Sequence, residues 1–423
     1  MKESIYNTYL DKNNELIIYN SVSSAVLLLD AEKKYEFIEF LEKKKNLSAE
    51  LYNALFKGGM IVDDEINERS SIKFEQLKRR IRGDSLSLTI APTLDCNFRC
   101  PYCYEKGVEH KYINDETIKD LINFAEKQKK EKIHVTWYGG EPTLCLKQIR
   151  QISEELIRLF GEDNYAAAMV SNGYLLNREV ALMLKKYKVS TVQITLDGPR
   201  ELHDSRRIFK DGRGTFDQIV DNIKNIYDIL NISIRINVDK TNINEAEQLI
   251  DYLEKSDLLD KLRFYIAPVD DINENTRNHN CFTKRDFSKF EIEFYSKFSK
   301  YHVMKPPIPT LGICGAISMD SFIIAPDGKL YKCWDEIGLD EYSIGNVKEG
   351  VTNQKNYKKW ISYDVDDYNK NCNDCKNFPV CFGGCPYQNM KRKGENHCIS
   401  FQYNGEYVLN QMYDSQKEQT NDE

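Results

Sequence analysis

The sequence predicts an α/β chain in three parts. A series of strand–helix units, arranged as a parallel sheet or a partial barrel, lies between a small N-terminal unit and a cysteine-rich C-terminal region. Three observations predict this. Apolar runs and helical patterns alternate at intervals of roughly 30 to 50 residues from Ser85 onward, the mark of βα units. The first 70 residues show a separate rhythm of short strands and two helices. Seven of the 12 cysteines fall between Cys314 and Cys398.

In the first part, Tyr6–Leu10 and Leu16–Tyr19 flank Asp11-Lys12-Asn13-Asn14, a hairpin signal. Ala25–Leu29 reads as a further strand. Ala31–Lys45 reads as a helix with Tyr35, Ile38 and Leu41 on one face. Ser48 caps a second helix ending near Gly58-Gly59, and Met60–Val62 closes the unit as a strand. That order resembles a winged-helix-like domain over residues 1–70. Residues 71–84 read as a basic linker helix. Six strands follow: Leu86–Ile90, Ile133–Trp137, Ala168–Ser171, Thr191–Thr195, Ile232–Val238 and Leu262–Ala267. Asn114 caps a helix whose inner face is Ile118, Leu121, Ile122 and Ala125. Residues 270–305 are polar and then helical, the Pro-rich run from Pro306 marks a boundary, and 401–423 read as a C-terminal tail, polar and frayed from Tyr413.

Composition narrows function. A net charge of −7 argues against a nucleic-acid partner. No run approaches the roughly 20 apolar residues of a membrane span, and the N-terminus lacks a signal-peptide core, so a cytoplasmic location is expected. Clustered cysteines in a reducing compartment point to metal rather than disulfides.

Cys96, Cys100 and Cys103 sit on one loop after the first strand of the α/β part, at spacing Cys-x3-Cys-x2-Cys. Three thiolates hold three irons of a four-iron cluster and leave the fourth iron open, whereas a closed electron-transfer cluster takes four. A structural zinc would need a fourth ligand, and none lies in the loop. Gly139-Gly140-Glu141 follows the second strand; the glycines permit close backbone approach to a ligand, and Glu141 can accept from an ammonium.

These residues resemble the radical S-adenosylmethionine (SAM, AdoMet) superfamily. The resemblance implies a partial (β/α)6 TIM-type barrel over 85–305, with the site at the C-terminal strand ends. It implies catalytic cluster ligands Cys96, Cys100 and Cys103, and AdoMet contacts from Tyr102, Gly139, Gly140, Glu141, Ser171, Asn172, Thr195 and Arg207. The last two lie in Thr195-Leu196-Asp197-Gly198-Pro199 and His203-Asp204-x2-Arg207. The cofactor supplies the difficult chemistry and the protein positions it.

The later cysteines, Cys314, Cys333, Cys372-x2-Cys375-x5-Cys381-x3-Cys385 and Cys398, resemble the SPASM extension, here residues 306–400. The resemblance assigns Cys372, Cys375, Cys381 and Cys398 to an outer auxiliary [4Fe–4S] cluster. It assigns Cys314, Cys333 and Cys385 to an inner one, left with an open iron because an eighth cysteine present in some relatives is missing. Three clusters in all are expected. Cys145 and Cys281 read as buried apolar thiols. The first 70 residues resemble a RiPP recognition element, a module that binds the leader of a ribosomally made peptide by strand addition.

Together these resemblances imply a maturase that installs cysteine thioether cross-links, of sactipeptide or ranthipeptide type, in a precursor peptide with a leader. A flavodoxin- or ferredoxin-type reductant serves it, and Asp335 and Glu336 are candidate bases. The alternatives are an anaerobic sulfatase-maturing enzyme, a C–C or C–O cross-linking maturase, and a non-catalytic ferredoxin-like or zinc-binding scaffold. A sulfatase-maturing enzyme places an Asp directly after the cysteine matching Cys333; here Trp334 intervenes.

Overall fold

The computed structural model describes residues 1–81, 83–103, 105, 107–270, 280–309 and 314–421. Part of the stretch expected as a polar bridge, 271–279, lies outside them. The chain folds as two compact units. One combines Met1–Arg80, Thr283–Cys314 and Tyr363–Glu423; the other combines Ile81–Phe282 and Gly315–Ser362. The residues expected as a single cysteine-rich region are thus shared, with 315–362 in the second unit and 363–400 in the first.

The first unit begins with strand β1 (Lys2–Glu3), then β2 (Asn7–Lys12), β3 (Glu15–Asn20) and β4 (Val26–Leu29), helices α1 (Ala31–Leu41) and α2 (Ala49–Lys57), strand β5 (Ile61–Val62) and helix α3 (Glu68–Ile81). Strands β2, β3 and β4 form an antiparallel meander, and β1 pairs with β5. The hairpin turn is tighter than the sequence pattern implied. Asn13 and Asn14 both take positive φ, 54° and 64°, so the ladder continues through Asp11 and Lys12. Paired positive φ is the two-residue turn that matches strand twist.

The face expected to bury α1 is turned outward: Tyr35 is 64% exposed, and Ile38 and Leu41 are also exposed, while Phe37 enters the core with Ile18, Leu29, Leu51 and Leu55. The cap fixes this rotation. Asp30 accepts from Lys33 N–H at the N-terminus of α1, and β3 and β4 then meet the Phe37 side.

In the second unit, β6 (Ser85–Ile90), β7 (Lys132–Trp137), β8 (Tyr165–Ser171), β9 (Val189–Thr195), β10 (Asn231–Val238) and β11 (Arg263–Pro268) run parallel in sequential order. Helices α4 (Asp115–Lys127), α5 (Leu146–Phe160), α6 (Arg178–Lys186), α7 (Arg200–Arg206), α8 (Phe216–Ile226) and α9 (Ile243–Lys255) connect them. This is the expected (β/α)6 arrangement. Asn114 accepts from Thr117 N–H to start α4, which buries Ile118, Leu121, Phe124 and Ala125. The loops after the six strands all emerge at one rim.

Helix α10 (Lys284–Lys297) returns the chain to the first unit. Strand β12 (Ser321–Ile324) then adds in parallel to the free edge of β6, and β13 (Lys329–Tyr331), β14 (Gly345–Asn346) and β15 (Gly350–Val351) extend the sheet antiparallel, followed by α11 (Gln354–Ile361). Burying Phe322, Ile323 and Ile324 on the edge of β6 explains why 315–362 belong to this unit.

Short helix α12 (Phe378–Cys381) carries Cys381 in the first unit, Cys385 caps α13 (Pro386–Lys391), and α14 (Phe401–Asn421) follows. Residues 401–421, expected as part of a tail, therefore form a helix. Phe401, Val408, Leu409 and Tyr413 are buried, the first three clustered with Tyr19, and Tyr413 and Lys417 hold Glu15. The apolar residues recur at helical spacing among polar ones that face water, which hides the helix in a composition count. Among the described residues no helix is long and apolar enough to cross a membrane.

Candidate functional site

The site is built on the rim of the second unit, starting from the strand β6 exit. Residues Thr93–Asp95 lead into the cysteine loop, and the Gly139-Gly140-Glu141 segment lies directly on them. Gly140 N–H donates to Thr93 O at 3.1 Å and Glu141 N–H to Asp95 O at 2.9 Å. A Cβ on Gly139 would stand 2.4 Å from Thr93 O, and one on Gly140 2.2 Å from Asp95 O. The glycines therefore admit neighbouring backbone, where the sequence had suggested ligand approach.

The cysteine loop is held from its other side. Arg99 N–H donates to Ile208 O at 2.8 Å and Lys210 N–H to Asn97 O at 2.9 Å, and the Phe98 ring packs edge-on against Tyr174 and Phe209. Phe98 N–H points at Cys96 Sγ, 3.3 Å away. Burial pushes the Cys96 thiol up to about 12 and Cys103 to about 11, both also sensing Cys100, and raises Cys100. All three cysteines are half-buried, and the Arg207 guanidinium pulls each thiol down against burial, so the loop gathers sulfurs suited to a sulfur-seeking metal partner.

Glu141 is fully buried. Its carboxylate accepts Thr143 N–H at 3.0 Å, the Thr143 hydroxyl, Ser171 Oγ at 2.8 Å and Asn172 N–H at 2.7 Å. It thus ties the β7 exit to the β8 exit. Burial raises its pKa against the pull of these donors. Asn172 Nδ2 continues the link to Asn97 Oδ1 at 2.7 Å, beside Cys96.

After β9, whose last residue Thr195 is nearly buried, Asp197 accepts from Tyr102 and from Arg206 Nε at 3.3 Å, and Arg206 reaches Asp239 at the β10 exit, 3.1 Å away. Arg207 donates to Tyr102 Oη at 2.9 Å and lies over the Phe98 ring. His203 is fully buried, and burial holds its imidazole well below the ordinary value. Nδ1 sits 3.4 Å from Asp197 N–H, so the neutral ring carries its proton on Nε2, 3.1 Å from Thr215 Oγ1; that hydroxyl donates to Arg207 O at 2.7 Å. The pair of arginines is thereby fixed from both sides. Four buried atoms here have no protein partner: Asn97 Nδ2, Asp197 Oδ1, Arg206 Nη2 and Arg207 Nε. Asn97, Asp197, Arg206 and Asp239 had been given no role from sequence; the adjacent arginines 206 and 207 were the available signal.

The thiol-rich part of the first unit forms a second centre. Cys372, Cys375, Cys381 and Cys398 line one cavity of about 270 Å³ together with His397, Gln402 and Tyr403. Burial pushes Cys372 up to about 11 and Cys381 to about 12, and both sense Cys375 and Cys398. Arg69 donates to Cys372 O at 2.7 Å and covers the Phe378 ring at 4.1 Å. Among the described residues no three His, Cys, Asp or Glu side chains close on a single ion; a four-iron cluster spreads its thiolates more widely than zinc, with Zn–S of about 2.3 Å, draws them.

Of the remaining cysteines, Cys314 and Cys385 are exposed in the first unit and Cys333 is buried in the second. Cys145 is buried, 3.7 Å from Pro92 O, its thiol pushed up to about 11, and Cys281 is half-buried. Asp335 Oδ2 lies 3.5 Å from Cys333 Sγ, with its carboxyl raised by burial. Glu336 is instead buried against Trp360 Nε1 at 3.2 Å and Lys359 at 3.3 Å, a structural role rather than the candidate base.

Residues 90–253 match the model of the radical SAM superfamily. The chain carries a radical SAM domain. The sulfur trio and the unpartnered polar atoms beside it suit the [4Fe–4S] cluster and AdoMet that this family implies. The chain is 24% identical over 346 residues to a cysteine-type anaerobic sulfatase-maturating enzyme of Clostridium novyi, covering 71% of this chain and 88% of that one. Its fold matches native anSMEcpe with bound AdoMet and Kp18Cys peptide (TM-score 0.62, 21% identity, 77% of this chain and 98% of that chain). It also matches SuiB of Streptococcus suis bound to precursor peptide SuiA (TM-score 0.55, 16% identity, 94% and 98%).

Proposed function

We propose that this radical SAM enzyme is a peptide maturase that joins a cysteine sulfur to a carbon of a ribosomally made precursor. The observation that carries the reading is the N-terminal meander. Strand β4 (Val26–Leu29) pairs only with β3 and keeps its outer edge open among the described residues, with Val26, Leu27 and Leu28 half-buried. An apolar open edge is a template for an added strand, the mode in which leader peptides bind. The match to SuiB, which is bound to a precursor peptide, extends over 94% of this chain.

In this reading Cys96, Cys100 and Cys103 hold the AdoMet-binding cluster, and Tyr102, Gly139, Gly140, Glu141, Ser171, Asn172, Thr195 and Arg207 surround AdoMet. Cys372, Cys375, Cys381 and Cys398 hold an outer auxiliary cluster, and Cys314, Cys333 and Cys385 an inner one with an open iron. When bound there and reduced by one electron from a flavodoxin- or ferredoxin-type protein, AdoMet would supply hydrogen-abstracting radical chemistry. Overall one C–H and one S–H bond become one C–S bond. The hydrogen atom would pass to the adenosyl group of AdoMet, the thiol proton to Asp335, and the surplus electron to the auxiliary clusters that these cysteines would hold.

One observation favours a second reading, formylglycine formation. The tight turn after Cys333 brings Asp335 back to the sulfur, so the one-residue displacement of the acid is compensated by the backbone. The test is anaerobic incubation of the reconstituted enzyme with AdoMet, reductant and a cysteine-containing peptide encoded beside its gene. Cross-linking removes two hydrogens per link and blocks the cysteine to alkylation; formylglycine formation removes the sulfur. Unchanged peptide beside competent AdoMet cleavage rejects both for that peptide.

A further inference from the structure

The three tryptophans differ sharply. Trp137 and Trp360 are buried, whereas Trp334 is 50% exposed. Its ring stacks on Tyr138 with centroids 5.6 Å apart and planes at 20°. Both rings are firmly mounted. Tyr138 is the residue before Gly139-Gly140-Glu141, and its N–H donates to Ile90 O at 3.0 Å, which fixes it on the rim between β6 and β7. Trp334 opens a one-turn 3-10 helix whose Glu336 carboxylate is locked to Trp360 and Lys359, and the turn runs into the buried cluster of Ala91, Leu94, Tyr331 and Ile337. The outcome is a rigid, half-open aromatic pair between the loop that crosses the AdoMet-site strands and the Cys333–Asp335 pair.

An exposed indole that is already ordered offers a large contact area at little entropic cost, the property that makes Trp and Tyr recognition residues. Its covered face meets Tyr138, so a ligand ring completes an offset stack rather than filling a pocket. We propose that Trp334 and Tyr138 form a substrate-binding platform that takes an aromatic side chain of the peptide close to the reacting cysteine and so sets sequence preference. This rests on the peptide-maturase reading above. Trp334 has no part in the bond changes; it positions the peptide.

The test uses reconstituted holoenzyme labelled with 5-fluorotryptophan, which shows three ¹⁹F resonances, the Trp334 signal being assigned with Trp334→Phe. The probes are synthetic hexapeptides with one cysteine and Phe, Leu or Ala at each flanking position. Phe peptides are expected to move the Trp334 resonance alone and to bind about three- to tenfold more tightly than Ala peptides. Trp334→Ala should remove that preference and Trp334→Phe should keep most of it. Equal binding of Phe and Ala peptides, or a preference that survives Trp334→Ala, overturns the platform. If the preference holds while no peptide is modified, the platform stands and the thioether reading falls; modified peptides without any preference give the reverse.

Discussion

Glu141→Ala in the metal-free protein should lower stability strongly, because the Glu141 carboxylate is a fully buried acceptor for four protein donors. Two of these are hydroxyls, and Ser171 Oγ also accepts Gly173 N–H, so they can turn to other partners. The backbone N–H groups of Thr143 and Asn172 cannot. A buried donor left unpaired costs about 1–3 kcal/mol, so the pair costs roughly 2–6 kcal/mol. That is a large share of a total of about 5–15 kcal/mol. At about 2–4 °C per kcal/mol for a unit of this size, the thermal midpoint should fall by roughly 5–20 °C. Glu141→Gln keeps one accepting oxygen and strands one N–H, so about half that loss is expected. The assay is thermal unfolding by circular dichroism under reducing conditions. A midpoint for Glu141→Ala within about 1 °C of wild type would refute the reasoning, since a residue serving only AdoMet would leave the metal-free protein unaffected.

Three further outcomes follow from the same geometry. Glu291 on α10, beside Asn404 of α14, has its carboxyl pushed up by burial to about 6. The native state therefore holds a proton that the unfolded chain releases near its ordinary value, so stability should fall as pH rises from about 4.5 to 6, by about 1–2 kcal/mol. Glu291→Gln should flatten that part of a denaturant-midpoint-against-pH profile; a profile unchanged by the substitution contradicts it. Arg69→Ala removes charge-assisted bonds to Cys372 O, Asn373 O and Asp366 and should cost about 2–4 kcal/mol, with iron and sulfide content per chain dropping toward that of the Cys372→Ala variant; undiminished content argues against Arg69 as the brace of the cavity. Cys96→Ala should abolish AdoMet cleavage, whereas Cys333→Ala should retain uncoupled cleavage and lose cross-linking, both read by chromatography of 5′-deoxyadenosine; ring closure by the Cys333 variant removes the inner cysteines from the mechanism.

Much of the site was legible in the sequence because cysteine ligands must lie close together on loops and because strand order is sequential. The four-cysteine cavity was legible as a spacing, and the structure brings those four sulfurs together. Roles carried by long-range register were not legible. At positions 139 and 140 the close approach that requires glycine is to the backbone of Thr93 and Asp95, some 45 residues earlier. Tyr35, Ile38 and Leu41 sit at a helical spacing that fits a buried face, but the capped start of α1 and its fit on β3 and β4 select Phe37.

The sequence by itself determined where the cysteines cluster, the βα series and the rim loops, since these depend on residue type and local period. Only the tertiary structure decided which polar groups face one another. It put Arg206 between Asp197 and Asp239, set the proton of His203 on Nε2, and returned Asp335 to Cys333 despite the intervening Trp334. It also divided 306–400 between two units, with β12 paired in parallel on the edge of β6. Hydrogen-bond partners separated by tens of residues depend on where strands end in space, and no local pattern encodes that.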